Sequence, residues 1–121
     1  MASYKDMIIC KKAFELAMDI FEVSKRFPKE ETYSLTDQIR RSSRSVCANF
    51  AEAYRRRKYI AHFVSKLTDS DSENSETEVW IDFAFACKYI SPEEHLSLSA
   101  KNAEAGKILG SMIQNPEKFI N

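Results

Sequence analysis

The segment "TDSDSENSETE", residues 68–78, decides the fold. It carries Asp69, Asp71, Glu73, Glu76 and Glu78, five negative charges with no positive charge among them. Read as a loop, it cuts the second half of the chain into short pieces. Read as helix, it is the middle of one long element from Tyr59 to Tyr89. Two observations favour the helix. The segment contains neither Gly nor Pro, the residues that punctuate loops. Phe63, Leu67, Asn74, Thr77, Ile81 and Ala84 also stay in helical phase through it and fall near one face. Trp80, Phe83, Phe85 and Cys87 add a second apolar half towards the end.

The same reading extends outward to both termini. Between Met7 and Phe27, the residues Cys10, Ala13, Phe14, Ala17, Ile20, Phe21 and Phe27 recur at helical spacing, and Leu16, Met18 and Val23 widen the stripe. Pro28 stops this helix. A second helix follows "PKEETYSLTDQ", with Ser34 and Asp37 as a capping box. Its inner stripe is Leu35, Ile39, Ser42, Val46, Asn49, Phe50 and Ala53, small enough for close helix approach. "SPEEHL" opens the fourth helix with Ser91 at the N-cap, Pro92 at N1 and Glu94 at N3. Its expected face is Leu98, Ala105, Ile108, Leu109 and Met112. Helices over about 7–27, 33–57, 59–89 and 92–113, joined by short connections, predict an all-α, antiparallel up-and-down four-helix bundle occupying 1–121 as one domain.

Composition agrees with this. The chain has 121 residues, of which only 2 are Gly and 3 are Pro, too few for a turn-rich β fold. Cys10, Cys47 and Cys87 are odd in number and far apart, which argues against a disulfide framework or a zinc site and for reduced core thiols. No basic-then-apolar leader opens the sequence and no apolar run nears the about 18 residues of a membrane span, so a soluble cytoplasmic protein without membrane contact is expected.

Chemistry-bearing motifs are sparse. Asp69, Asp71 and Glu73 imitate the start of a calcium loop, but Asn74 stands where Gly is required and Trp80 where Glu is required. The pairs Asp19/Glu22 and Glu73/Glu76 have the spacing with which some helical nucleotide hydrolases hold magnesium. Asp19 lies on the polar side of its helix, which argues against convergence. His62 and His95 have no companion ligand or nucleophile. No catalytic residue, cofactor or metal is expected.

The remaining signal is charge. Arg40, Arg41, Arg44, Arg55, Arg56, Arg57 and Lys58 crowd residues 38–59 against a single acid, Glu52, although the chain balances 18 basic with 18 acidic residues. Four cations at a helix C-terminus suit the helix dipole; they equally suit phosphate binding, most of all if an oligomer repeats them into a continuous basic surface. Arg55, Arg56, Arg57 and Lys58, with Arg44 next, are the candidate nucleic-acid contacts. Arg40 and Arg41 are assigned to pairing with acids such as Glu73 and Glu76. Asn49 and Glu52 should each have a specific polar mate, because burying either without one is costly.

Taken in order, Phe27-Pro28 with Glu31, then Leu35, Gln38, Arg40, Arg41, Ser45, Asn49, Ala51 and Glu52, then Phe63 and Leu67, then Glu73, Glu76, Thr77 and Trp80 resemble the 23S rRNA intervening-sequence proteins over about residues 7–113. Many relatives have Gly just after the Ala-Glu pair, where this chain has Ala53 and Tyr54, so its second helix should run on further. The resemblance implies a four-helix bundle assembled as a ring-like homopentamer, and a kinship with the basic accessory subunits of diversity-generating retroelements. It suggests RNA association and transfers no catalytic residue. The expected function is therefore a non-enzymatic oligomer that binds structured RNA. The alternatives are an adaptor docking a protein partner and a metal-dependent nucleotide hydrolase.

Overall fold

The acidic segment is helical throughout. In the computed structural model, which describes residues 3–120, it lies inside the longest of four helices: α1, Ile8–Ser24; α2, Asp37–Arg55; α3, Ile60–Ala86; and α4, Pro92–Gln114. No strand occurs among the described residues. Cross-helix pairs run in opposite numerical directions along each seam. Arg26 meets Glu94 and Lys12 meets Glu104; Arg41 meets Glu73 and Lys66 meets Glu52. α2 is therefore antiparallel to α3, and α1 closes the bundle antiparallel to α4. None of the helices is long and apolar enough to cross a membrane.

The start of α2 differs from the expected capping box. Ser34 lies inside a short π turn, Thr32–Thr36, that runs into α2. The capping group is Glu31: its carboxylate accepts from the Ser34 hydroxyl (2.6 Å), the Leu35 amide (3.4 Å) and the Tyr89 hydroxyl (2.8 Å). The Ser34 and Tyr89 hydrogen bonds hold the Glu31 pKa below the ordinary carboxylate value. At the other end of the chain the expected box is present, with Ser91 and Glu94 exchanging side-chain-to-backbone bonds.

The core is divided. One apolar cluster gathers Ile9, Ala13, Val46, Phe50, Phe63, Leu67, Leu109 and Met112. The other gathers Leu16, Ile20, Phe27, Leu35, Ile39, Ile81, Ile90 and Leu98. Between them lies a belt of buried polar residues: Ser42 and Ser43 from α2, Ser70, Asn74 and Thr77 from α3, and Asn102 from α4. The Ser70 hydroxyl donates to the Val46 carbonyl (2.8 Å) and the Asn74 amide donates to the Asn102 carbonyl (3.0 Å). The Thr77 hydroxyl lies 2.8 Å from both the Ser42 hydroxyl and the Glu73 carbonyl. Having one proton to give, it donates to one of them, and the Ser42 hydroxyl gives its own proton to Thr77 or to the Ile39 carbonyl at 3.4 Å. At Gly106 a Cβ would stand 3.0 Å from the Asn74 side-chain nitrogen, so a larger residue there would press on the Asn74 amide and push it aside by a few tenths of an ångström.

Several expected core residues face outward. Phe14 is 60% exposed and Met18 44%, while Leu16 takes the interior position. Phe83 and Phe85 are exposed and Trp80 and Ile108 half-buried. Cys10 is buried and Cys47 half-buried, with burial pushing the Cys47 thiol up to about 11, but Cys87 is exposed because it follows Ala84, the last buried residue of α3.

Because the Ser42 and Thr77 hydroxyls partner each other, removing one takes a partner from the other, and the two losses should not add. Thr77→Val is expected to lower stability by about 1–3 kcal/mol, and the Ser42→Ala, Thr77→Val double variant by less than the sum of the singles. Urea unfolding of the three variants measures this.

Candidate functional site

The turn between α2 and α3 concentrates the basic residues. Arg55 ends α2, Arg56 caps it, and Tyr59 stands at the N-cap of α3. Arg55, Arg56 and Lys58 are exposed, and no carboxylate among the described residues lies within ion-pair distance of them. Glu52, one turn back, pairs instead with Lys66 at 3.1 Å. Lys66 also reaches Asp69 (3.6 Å) and donates to the Asn49 side-chain oxygen (3.4 Å), which gives both Glu52 and Asn49 their polar mate. The first turn of α3 holds no acid and Tyr59 offers no side-chain cap. The amides of Ile60, Ala61 and His62 therefore have no partner within the helix, and the positive end of its dipole adds to the charge of the arginines.

Two candidates from the sequence have other roles. Arg57 is half-buried; its guanidinium lies 4.0 Å from the centre of the Tyr54 ring and donates to the Tyr54 carbonyl at 2.8 Å. It closes the turn from within. Arg44 is eleven residues up α2, about 16 Å along the axis at helical rise, and lies over the Phe21 ring. It shares an open depression of about 420 Å³ with Arg40 and Arg41. The basic residues thus form two patches on α2.

The acids of α3 also divide. Arg41 bridges Glu76 (2.5 Å) and Glu73 (3.4 Å) across the α2–α3 seam, and the Trp80 indole donates to Glu76 at 3.1 Å. Arg40, one residue away and so about 100° round the helix, turns the other way. It donates to the Ser24 hydroxyl (2.7 Å) and covers the Phe21 ring, where pairing with an acid was expected. Asp19 pairs with Lys101 of α4, on a different seam from Glu73 and Glu76, so the two acidic pairs do not converge. Asp69, Asp71 and Glu73 fan round a helix and cannot wrap one ion as a loop would. His95 faces Asp82 at 3.0 Å and stacks on Phe85 with ring centres 4.2 Å apart.

Residues 5–111 match the family model of the 23S rRNA-intervening sequence protein. The chain belongs to that family. A solved structure of a protein of unknown function from the S23 ribosomal protein family of Bacteroides thetaiotaomicron VPI-5482 is 30% identical, with a TM-score of 0.80 over 89% of this chain and 100% of that one. The chain matches no curated protein.

The family-like motif residues form two physical units in this chain. Phe27 packs near the Tyr89 ring, centroids 5.6 Å apart, and Glu31 caps α2 beside the same Tyr89. Arg41, Glu73, Glu76 and Trp80 form one ionic and hydrogen-bonded network, with Thr77 directly beneath it in the belt. Sequence reasoning did not single out Tyr59. The available signal was an aromatic residue placed between a basic run and a helix start.

Glu76 is half-buried, and its partner Arg41 is half exposed, so its pairs are screened by solvent. Glu76→Ala is expected to destabilise by about 1 kcal/mol, less in high salt, and to shift the emission of Trp80, the single tryptophan. Denaturation and fluorescence at low and high ionic strength test both parts.

Proposed function

We propose that this protein acts by binding, as a self-assembling helical bundle that holds nucleic acid, RNA in the first place, through the basic α2–α3 turn. The observation that carries this reading is the unpaired state of Arg55, Arg56 and Lys58. Elsewhere in the fold Lys12, Lys25, Arg26, Arg41, Lys66 and Lys101 are each matched to a carboxylate, and cations without one among the described residues, such as Lys29, Lys88, Lys107 and Lys118, lie apart from one another in the sequence, where Arg55, Arg56 and Lys58 are gathered at one turn. Exposed cations without partners exchange their counterions for phosphates at little cost. Family membership supports an RNA association without specifying a target.

Self-assembly is supported by two unlike faces. Between α1 and α2 runs an apolar groove of about 700 Å³, lined by Tyr4, Cys10, Phe14, Cys47, Ala48 and Ala51 and rimmed by Lys5, Lys11 and Arg44. On the outer side of α3, Val79 and Phe83 are exposed among Glu78 and Asp82. One face is apolar with basic edges and the other apolar with acidic edges. A contact joining such unlike faces of two copies is heterologous and closes into a ring when its rotation allows, in keeping with the five-membered ring that the resemblance implies. The same faces are what favour an adaptor as the second reading.

Replacing Arg55, Arg56 and Lys58 together by Ala should weaken nucleic-acid binding across sequences. It should also flatten the log–log salt dependence by about 2 to 3, since each lost phosphate contact contributes about 0.7–0.9. Equal binding by the wild type and the triple variant transfers the reading to the adaptor. Phe83→Asp should leave a folded monomer where the wild type is larger by light scattering. A monomeric wild type at micromolar concentration removes the assembly.

A further inference from the structure

The basic turn carries a feature that phosphate binding leaves unused. Tyr59, in the middle of the cluster, is 67% exposed, and Ile60 beside it 44%. Tyr59 and the exposed His62 stand with ring centroids 6.0 Å apart at 50°. Together with Arg55 and Arg56 they line an open depression of about 400 Å³, and Arg56, His62 and Lys66 line a second of about 220 Å³ beside it. A tyrosine ring this exposed adds little to the core, and the core does not need it: Phe63, the next turn of α3, is fully buried. The platform is nevertheless fixed at its root. The Tyr59 amide donates to the Arg56 carbonyl (3.0 Å), and its carbonyl accepts from Phe63 (2.9 Å) as the first bond of α3.

We propose that this depression is a stacking subsite for one unpaired nucleotide, the base lying on the outer face of Tyr59, with His62 backing that ring from the other side and Arg55, Arg56 and Lys58 holding the flanking phosphates. The subsite rests on the phosphate-binding reading above and specifies its ligand as single-stranded. A base intercalated between parallel rings needs them about 7 Å apart, twice the van der Waals contact distance. The two rings are closer than that and tilted, so the base is placed outside the pair. The faces of a base inside a duplex are already stacked on its neighbours, so a duplex can offer this turn its phosphates but no free face for Tyr59. Single strands present both faces and backbone, which is how aromatic residues interleaved with cations bind them. Stacking does not distinguish ribose from deoxyribose, so RNA and DNA single strands both fit.

The test uses the intact protein with a labelled unstructured oligouridylate, the matching oligodeoxyuridylate and a duplex of equal length. Both single strands should bind more tightly than the duplex. Tyr59→Ala should weaken the single strands by about 5- to 150-fold, the range of one lost base stack, while leaving duplex affinity and the salt slope unchanged. Tyr59→Phe should restore single-strand binding. A preference for oligouridylate over oligodeoxyuridylate adds a 2′-hydroxyl contact to the subsite, and equal affinities support stacking alone. If Tyr59→Ala and His62→Ala leave single-strand binding intact while the Arg55, Arg56, Lys58 triple variant abolishes it, the stacking subsite is overturned and phosphate binding stands. If the triple variant binds every probe as the wild type does, both fall.

Discussion

The polar belt across the middle of the core is the constraint on which the other parts of the fold depend. Apolar side chains alone would let one helix slide against another by a turn at little cost, because leucine and isoleucine pack in many registers. Ser42, Ser70, Asn74, Thr77 and Asn102 pair only when α2, α3 and α4 stand at one relative height. The belt is not free of cost: the side-chain oxygens of Asn74 and Asn102 are buried without a protein partner among the described residues, and such groups lose solvation with no return. That cost is offset by register. With α2 and α3 locked at Ser42 and Thr77, Arg41 falls opposite Glu73 and Glu76, and the α2–α3 turn is set at a fixed distance from the belt.

This also explains which parts of the fold could be read in the sequence. The buried face of α3 is legible from Phe63 to Ala84 because its polar members, Asn74 and Thr77, occupy the same phase as its apolar ones. The acids of the run that suggested a loop lie on the solvent side and the α2 seam of that helix, while Ser70, Asn74 and Thr77 between them point inward. The capping of α4 is legible because Ser91, Pro92 and Glu94 act over one turn of chain. By contrast, α1 is apolar on two sides. Phe14 has the same spacing from Cys10 as a core residue would, and only the position of α2 and α4 decides that Leu16 goes in and Phe14 stays out. The start of α2 was hidden because its cap, Glu31, reaches in across a π turn that no local pattern announces.

The candidate site was legible as charge and not as geometry. The run Arg55 to Lys58 is conspicuous, but sequence gives its four cations equal standing. The fold separates them: Arg57 is folded onto Tyr54, while Arg55, Arg56 and Lys58 remain in solvent. Neighbours on a helix diverge by about 100°, so Arg40 and Arg41 part to opposite sides of α2, one to Ser24 and Phe21 and the other to the acids of α3. No inspection of the sequence assigns those directions until the neighbouring helices are in place.

The seam between α1 and α4 differs in kind from the others. It joins the two ends of the chain, so forming it closes the longest loop in the fold and costs the most chain entropy. Its outer edge is laced by Arg26 with Glu94, Lys101 with Glu15 and Asp19, and Lys12 with Glu104, pairs that sit in solvent and weaken as salt screens them. The three helices joined by the belt share local connections, which assemble early in a helical protein. The expectation is that added salt loosens α1 from α4 along this seam before α2 and α3 part at the belt. Amide hydrogen exchange along α1, compared with α3 at two salt concentrations, reads that order directly.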